Sequence, residues 1–239
     1  MSLMFSADLG PAALIGVRSY GGPRSRRQIL RAAICGAALV AATVTSAADA
    51  PIKIVALGDS LTAGLGLTEK DGFAARLQAA LAAKGIAAEV ANAGVSGDTA
   101  ADGLARLDWS VPSGTDAVIL ELGANDMLRG IKPPVTHQAL EAILRRLADR
   151  HIAVLLCGMR AAPNLGPDYA AAFERIYPEL AAQYGVLLYP FFLDGVAADL
   201  KLTQHDGLHP AAAGVDVIVA RMLPKVEELI ARVRSHQPS

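Results

Sequence analysis

The sequence predicts an α/β protein built on a single doubly wound, mostly parallel five-stranded sheet with helices on both faces. Two observations predict it. From Pro51 onward, short apolar runs alternate with longer segments of helical spacing, the pattern of successive βα units. The runs are also nearly continuous in apolar residues, as expected of parallel strands covered on both sides. The 239-residue chain is 53% hydrophobic and 19% charged, enough for one good core and short for two.

The elements follow in order. Strands are predicted over 52–57 (IKIVAL), 89–93 (EVANA), 117–122 (AVILEL), 152–157 (IAVLLC) and 186–189 (VLLY). Helices are predicted over 72–84, 100–107, 137–150, 168–184 and 211–234. In the fourth, Tyr169, Phe173, Ile176, Tyr177 and Leu180 recur at helical spacing, a stripe that reads as core packing. Cys157 closes a strand-like run and reads as a small buried apolar residue. No repeat, low-complexity tract or linker interrupts residues 49–239, which are expected to form one domain.

Residues 1–48 read as a targeting segment. RSRRQILR supplies a basic end, 32–45 (AAICGAALVAATVT) a short apolar stretch, and SAADA small residues for cleavage near Ala47 or Ala48. The apolar stretch is too short for the roughly 20 residues that a membrane span needs. SRRQILR also fits a twin-arginine signal. A periplasmic or secreted protein with no stable membrane insertion is therefore expected. Cys35 would leave with the signal, so Cys157 would have no partner for an intramolecular disulfide.

In a parallel sheet, ligands bind at the carboxyl ends of the strands. Polar, glycine-containing turns follow four of the predicted strands there: Gly58-Asp59-Ser60, NAGVSGDT (92–99), GAND (123–126) and, after a longer connection, DGLHP (206–210). Taken singly, each also reads as a turn or a helix cap. Ser60 could cap the next turn, Ser96 to Asp98 could precede a helix, and Pro210 suits the first turn of the last helix. Taken together they suit nucleophilic catalysis. A serine needs a base, and imidazole is the usual one. Asp206 precedes His209 by three residues, close enough to orient the ring. Gly97 offers an unobstructed N–H and Asn125 an amide NH2 for a developing oxyanion.

Other chemistries lack their parts. G-x-S-x-G, G-x-x-x-x-G-K-[ST] and H-E-x-x-H are absent, and the five histidines have no metal-ligand spacing. No metal or cofactor is expected. A net charge of −1 gives no electrostatic case for nucleic acid, and 5% aromatic content disfavours a surface built to stack sugars or bases.

These residues resemble the four blocks of the GDSL, or SGNH, hydrolases. Ser60, Gly97, Asn125 and His209 match the blocks in order, and Asp206 matches the family's triad aspartate. SGDTAADGLARL, ELGANDMLRG and AAFERIYPEL bring the chain nearest to the branch of periplasmic thioesterases and lysophospholipases and the arylesterases beside it. Ala124 departs from the second glycine common there. The resemblance implies a flavodoxin-like sheet, a Ser60–His209–Asp206 triad and an oxyanion hole of Ser60, Gly97 and Asn125. It implies a small-molecule acyl ester or thioester as substrate, with the loop 158–168 bordering the acyl pocket or serving as an ordinary surface connection; 127–135 (MLRGIKPPV) could form the opposite wall. A carbohydrate O-deacetylase with the same machinery and a non-catalytic binding protein are the alternative readings.

Overall fold

The computed structural model describes residues 50–236. The expected targeting segment, its cleavage site and Cys35 lie outside the described residues.

Five strands form one sheet: β1 (Ile52–Gly58), β2 (Ala88–Gly94), β3 (Ala117–Glu121), β4 (Ala153–Cys157) and β5 (Leu187–Tyr189). Their order is β2-β1-β3-β4-β5, and every neighbouring pair is parallel. This is the doubly wound order, in which the chain reverses direction across the sheet between β1 and β3.

Burial follows position in the sheet. All five residues of β3 are buried, whereas β2, at the edge, alternates between half-buried and exposed. The expectation of strands covered on both faces therefore holds for the centre and fails for β2. The edge carries polar Glu89 and Asn92, which can face water.

One face of the sheet is covered by α2 (Phe73–Ala83) and α8 (Ala212–His236), which pack on each other. On the other face, α6 (Pro133–Asp149) packs between α3 (Ala100–Ala105) and α7 (Pro167–Tyr184). Right-handed crossovers require this split once the strand order reverses. Phe73, Leu77, Phe173, Ile176, Tyr177 and Leu180 are buried against the sheet, each large apolar side chain contributing about 1.5–3 kcal/mol. Cys157 is fully buried, as its apolar surroundings predict.

The helix ends differ from expectation in three places. α6 begins at Pro133, four residues before the predicted start, because prolines at its first two positions lose N–H groups that have no helical partner. The predicted helix over 100–107 breaks at Arg106 and is followed by α4 (Leu107–Ser110). Pro210 is not in the first turn of α8. It pairs with Thr203 in an isolated antiparallel bridge. Two short helices were not predicted, α1 (Ser60–Ala63) and α5 (Ala124–Leu128), and both follow central strands directly.

Candidate active site

The turn from β1 into α1 sets the geometry. A side chain at Gly58 would bring Cβ within 2.1 Å of Thr62 Oγ1 and 2.6 Å of the Glu121 carbonyl oxygen, so glycine alone lets α1 fold back on the sheet. The cap of α1 is Asp59, whose Oδ1 accepts from the Leu61 N–H at 3.0 Å. Ser60 is thus the first helical residue, and its hydroxyl is free of capping.

That hydroxyl lies 2.8 Å from His209 Nε2. The other ring nitrogen, Nδ1, is 2.6 Å from Asp206 Oδ2. A carboxylate only accepts, so Nδ1 carries the hydrogen and Nε2 accepts from Ser60 Oγ. Asp206 Oδ1 also accepts from the backbone N–H groups of Leu208 and His209, at 2.9 and 3.0 Å. The His209 N–H, then the His209 ring, then the Leu208 N–H hold the Asp206 carboxyl well below the usual carboxylate range. Gln204 braces this loop, its Nε2 donating to the carbonyls of Leu65 and Pro210 at 2.7 and 3.0 Å.

At two of the other turns the caps are residues other than the candidates. Thr99 caps α3 in a capping box with Asp102, and Gly123 occupies the cap position of α5. The backbone N–H groups of Ser60 and Gly97 have no acceptor among the described residues. Asn125 is within α5, and its Nδ2 donates to Asp59 Oδ2 at 3.1 Å and to the Asp98 carbonyl at 3.0 Å. Both amide protons therefore already have acceptors. An oxyanion would draw on a three-centre bond.

Ser60, Asn125 and His209 line a cleft of about 300 Å³. Met127 and Leu128 form part of its wall, and Met159 to Ala162 another part, so segments 127–135 and 158–168 both reach it. Phe191, Leu193 and Ala197, from the connection after β5, complete an apolar lining that was not predicted. Arg160 lies over the Phe191 ring, 4.9 Å from its centre. A larger cleft of about 440 Å³ lies at the opposite edge of the sheet, between Asp116, His151, Tyr184 and Arg232. It contains none of the four turns.

The sequence reading missed the groups that hold these turns. Arg106, buried, donates to Asp98 Oδ2 (2.5 Å), Ser110 Oγ (2.9 Å) and the carbonyls of Gly58 and Ala93 (both 2.8 Å). It ties the ends of β1 and β2 to the turn bearing Gly97. Arg129 Nη2 donates to the Gly97 carbonyl at 2.6 Å. Asp126, buried, accepts from the Ala100 N–H at 2.8 Å and from Thr136 Oγ1 at 2.9 Å. Glu121 Oε2 accepts from Thr62 Oγ1 at 2.7 Å and from the Asp59 N–H at 3.3 Å. Burial pushes the Asp59 carboxyl up to about 6, against the pull of the Leu61 N–H and the His209 charge. Burial, and then the Asp59 charge, push Glu121 well above its ordinary range.

Among the described residues, no three His, Cys, Asp or Glu side chains group as a metal site, and no helix is long and apolar enough to cross a membrane.

Residues 56–217 match the GDSL-like lipase/acylhydrolase family. The chain is 39% identical to esterase TesA of Pseudomonas aeruginosa over 202 residues, 84% of this chain and 100% of TesA. It is 36% identical to thioesterase 1/protease 1/lysophospholipase L1 of Escherichia coli K12 over 188 residues, 78% of this chain and 89% of that enzyme. A crystal structure of TesA superposes with a TM-score of 0.71 at 40% identity, covering 74% of this chain and 99% of that one. Strand order, the four turns and these similarities agree: the chain belongs to the GDSL-like lipase/acylhydrolase family.

Proposed function

We propose that this chain hydrolyses carboxylic esters and acyl thioesters through an acyl-Ser60 intermediate. The observation that carries the reading is the 2.8 Å contact between Ser60 Oγ and His209 Nε2. Ser60 Oγ attacks the carbonyl carbon while His209 Nε2 takes its proton. Asp206 fixes the tautomer and stabilises the imidazolium. The N–H groups of Ser60 and Gly97, with the Asn125 amide, bind the tetrahedral oxyanion. As the carbon–oxygen or carbon–sulfur bond breaks, His209 returns the proton to the leaving alcohol or thiol. Water, deprotonated by the same imidazole, then releases the acid from Ser60.

The apolar cleft of about 300 Å³ beside Ser60 suits an acyl chain rather than a sugar. Relatives named esterase, arylesterase and thioesterase/lysophospholipase support the same substrates. Residues 49–239 form the hydrolase domain in this reading, and 1–48 direct export to the periplasm or beyond and are removed.

A fluorophosphonate probe tests the nucleophile. Its adduct is expected on Ser60 by peptide mass mapping, and an unlabelled Ser60 in folded protein would refute the reading. A chain-length series of p-nitrophenyl esters and acyl thioesters then ranks the substrates.

A further inference from the structure

Two carboxyl groups are buried behind the nucleophile, and the reaction just described uses neither. Asp59 and Glu121 are both fully buried. They meet because Glu121 ends β3, whose neighbour β1 runs straight into the Asp59 turn, with Gly58 paired to Glu121. Each faces a different set of partners.

Asp59 is held as an acceptor. Its Oδ1 takes the Leu61 N–H and its Oδ2 takes Asn125 Nδ2. Glu121 Oε2 takes Thr62 Oγ1 and the Asp59 N–H, while Oε1 is buried with no partner among the described residues. A charged carboxylate with one oxygen unpaired in a dry interior costs far more than a neutral acid in the same place. Two charged carboxylates side by side would cost more again, so one proton belongs to the pair. Asp59 has a donor on each of its oxygens, whereas Glu121 has donors on Oε2 alone and none on Oε1, so that proton belongs on Glu121.

The consequence reaches Asn125. An amide can turn either end toward a neighbour, and the neighbours decide which. Here both are acceptors, Asp59 Oδ2 and the Asp98 carbonyl. They keep the nitrogen turned toward the two turns that carry the Ser60 and Gly97 N–H groups. A protonated Asp59 could instead donate to the amide oxygen, and a flipped Asn125 would offer that oxygen to an oxyanion.

We infer that Glu121 is a positioning residue of the reaction: as a neutral acid it keeps Asp59 a carboxylate, and that carboxylate keeps the Asn125 amide nitrogen aimed at the oxyanion position. The inference rests on the oxyanion role proposed for Asn125. It has a pH signature, because Asp59, raised to about 6 by burial, lies within hydrogen-bonding reach of Glu121, which holds it down. The other titratable or charged groups facing the pair are His209 beside Asp59, Cys157 on β4 and Tyr177 on α7, with Arg106 on the Gly58 carbonyl.

The experiment compares Glu121→Gln with Glu121→Met in the full chain, measuring kcat and KM on one p-nitrophenyl ester from pH 5 to 9 per folded molecule. Gln keeps a neutral hydrogen-bonding group and retains kcat within about threefold. Met fills the space without a donor. It is expected to lower kcat about tenfold or more at unchanged KM, as for a weakened oxyanion donor. Its acid limb moves up, because one of the groups that oppose the burial of Asp59 is then gone. A purely structural Glu121 would lower the yield or melting temperature of the Met variant and leave kcat and the acid limb in place. That result, or a Gln variant as impaired as Met, overturns the inference. If the Met variant does not fold, Asp59→Asn takes its place. Lower kcat at unchanged KM supports the inference, and wild-type kcat with a wild-type acid limb overturns it. Ser60→Ala runs alongside: if it retains activity, the nucleophile assignment has failed, whereas an inactive Ser60→Ala confines any failure to Glu121.

Discussion

Ser60 Oγ and His209 Nε2 stand 2.8 Å apart across 149 positions of sequence. Nothing local joins them. Ser60 is placed by the end of a central strand, and His209 by a loop whose Asp206 and Gln204 bonds return it to that strand's edge. The contact is thus a product of the whole fold, and the other turns can be tested against it.

Asn125→Ala removes one oxyanion donor. The expected loss is about 10² in kcat with KM nearly unchanged. The lower end of the usual range is chosen because both amide protons already serve Asp59 and Asp98. Steady-state kinetics on a p-nitrophenyl ester checks it, and a loss below tenfold removes Asn125 from the oxyanion site.

Gly97 has φ +91°, and a Cβ there would meet only Arg129 Nη2, at an ordinary contact distance of 3.7 Å. Gly97→Ala therefore meets no clash and is opposed by backbone conformation alone, at a cost of about 1–3 kcal/mol. If the loop relaxes to relieve it, the Gly97 N–H turns away. A fall in kcat larger than the fall in stability is expected, read from kinetics beside urea unfolding.

Arg106 shares a buried ion pair with Asp98 and donates to two strand-end carbonyls. Arg106→Met leaves Asp98 and both carbonyls short of a donor, and destabilisation of about 3–5 kcal/mol is expected. Urea unfolding at neutral pH measures it. A change within 1 kcal/mol would show that water replaces the guanidinium at little cost.

The buried pair also makes stability depend on pH, with a definite sign. Asp59 rises from an ordinary 3.8 to about 6, and Glu121 rises well above its ordinary 4.5. Each is raised, so each favours the folded state below its ordinary value and loses that favour as pH climbs toward its folded value. Gln at position 121 cannot ionise in either state. The melting temperature of Glu121→Gln relative to the parent should therefore increase from pH 4.5 to 8. A difference that stays flat or falls would mean that Glu121 ionises freely in the folded protein.

Much of the scaffold could be read from the sequence because strand burial is written in composition. AVIL (117–120) and AVLLC (153–157) are apolar throughout and became the core of β3 and β4. Helices α1 and α5 escaped because four or five residues are too few to show a period. The start of α6 escaped because Pro133 and Pro134 look like a break when they are its first turn. At the site, Ser60, Gly97, Asn125, Asp206 and His209 stood out because each sits in a glycine-bearing turn after a strand. Their supports did not. Glu121 reads as the polar end of a strand and Arg106 as a solvent-facing helix residue, since the partners of both are distant in sequence. Asp59 was visible beside Ser60, but its burial against Glu121 was not.

The most direct measurement is the turnover of Ser60→Ala on a medium-chain p-nitrophenyl ester, beside the parent protein and with folding checked by circular dichroism. A loss on the order of 10⁶ in kcat, with the fold intact, is the predicted result. A folded variant within tenfold of the parent would contradict the account.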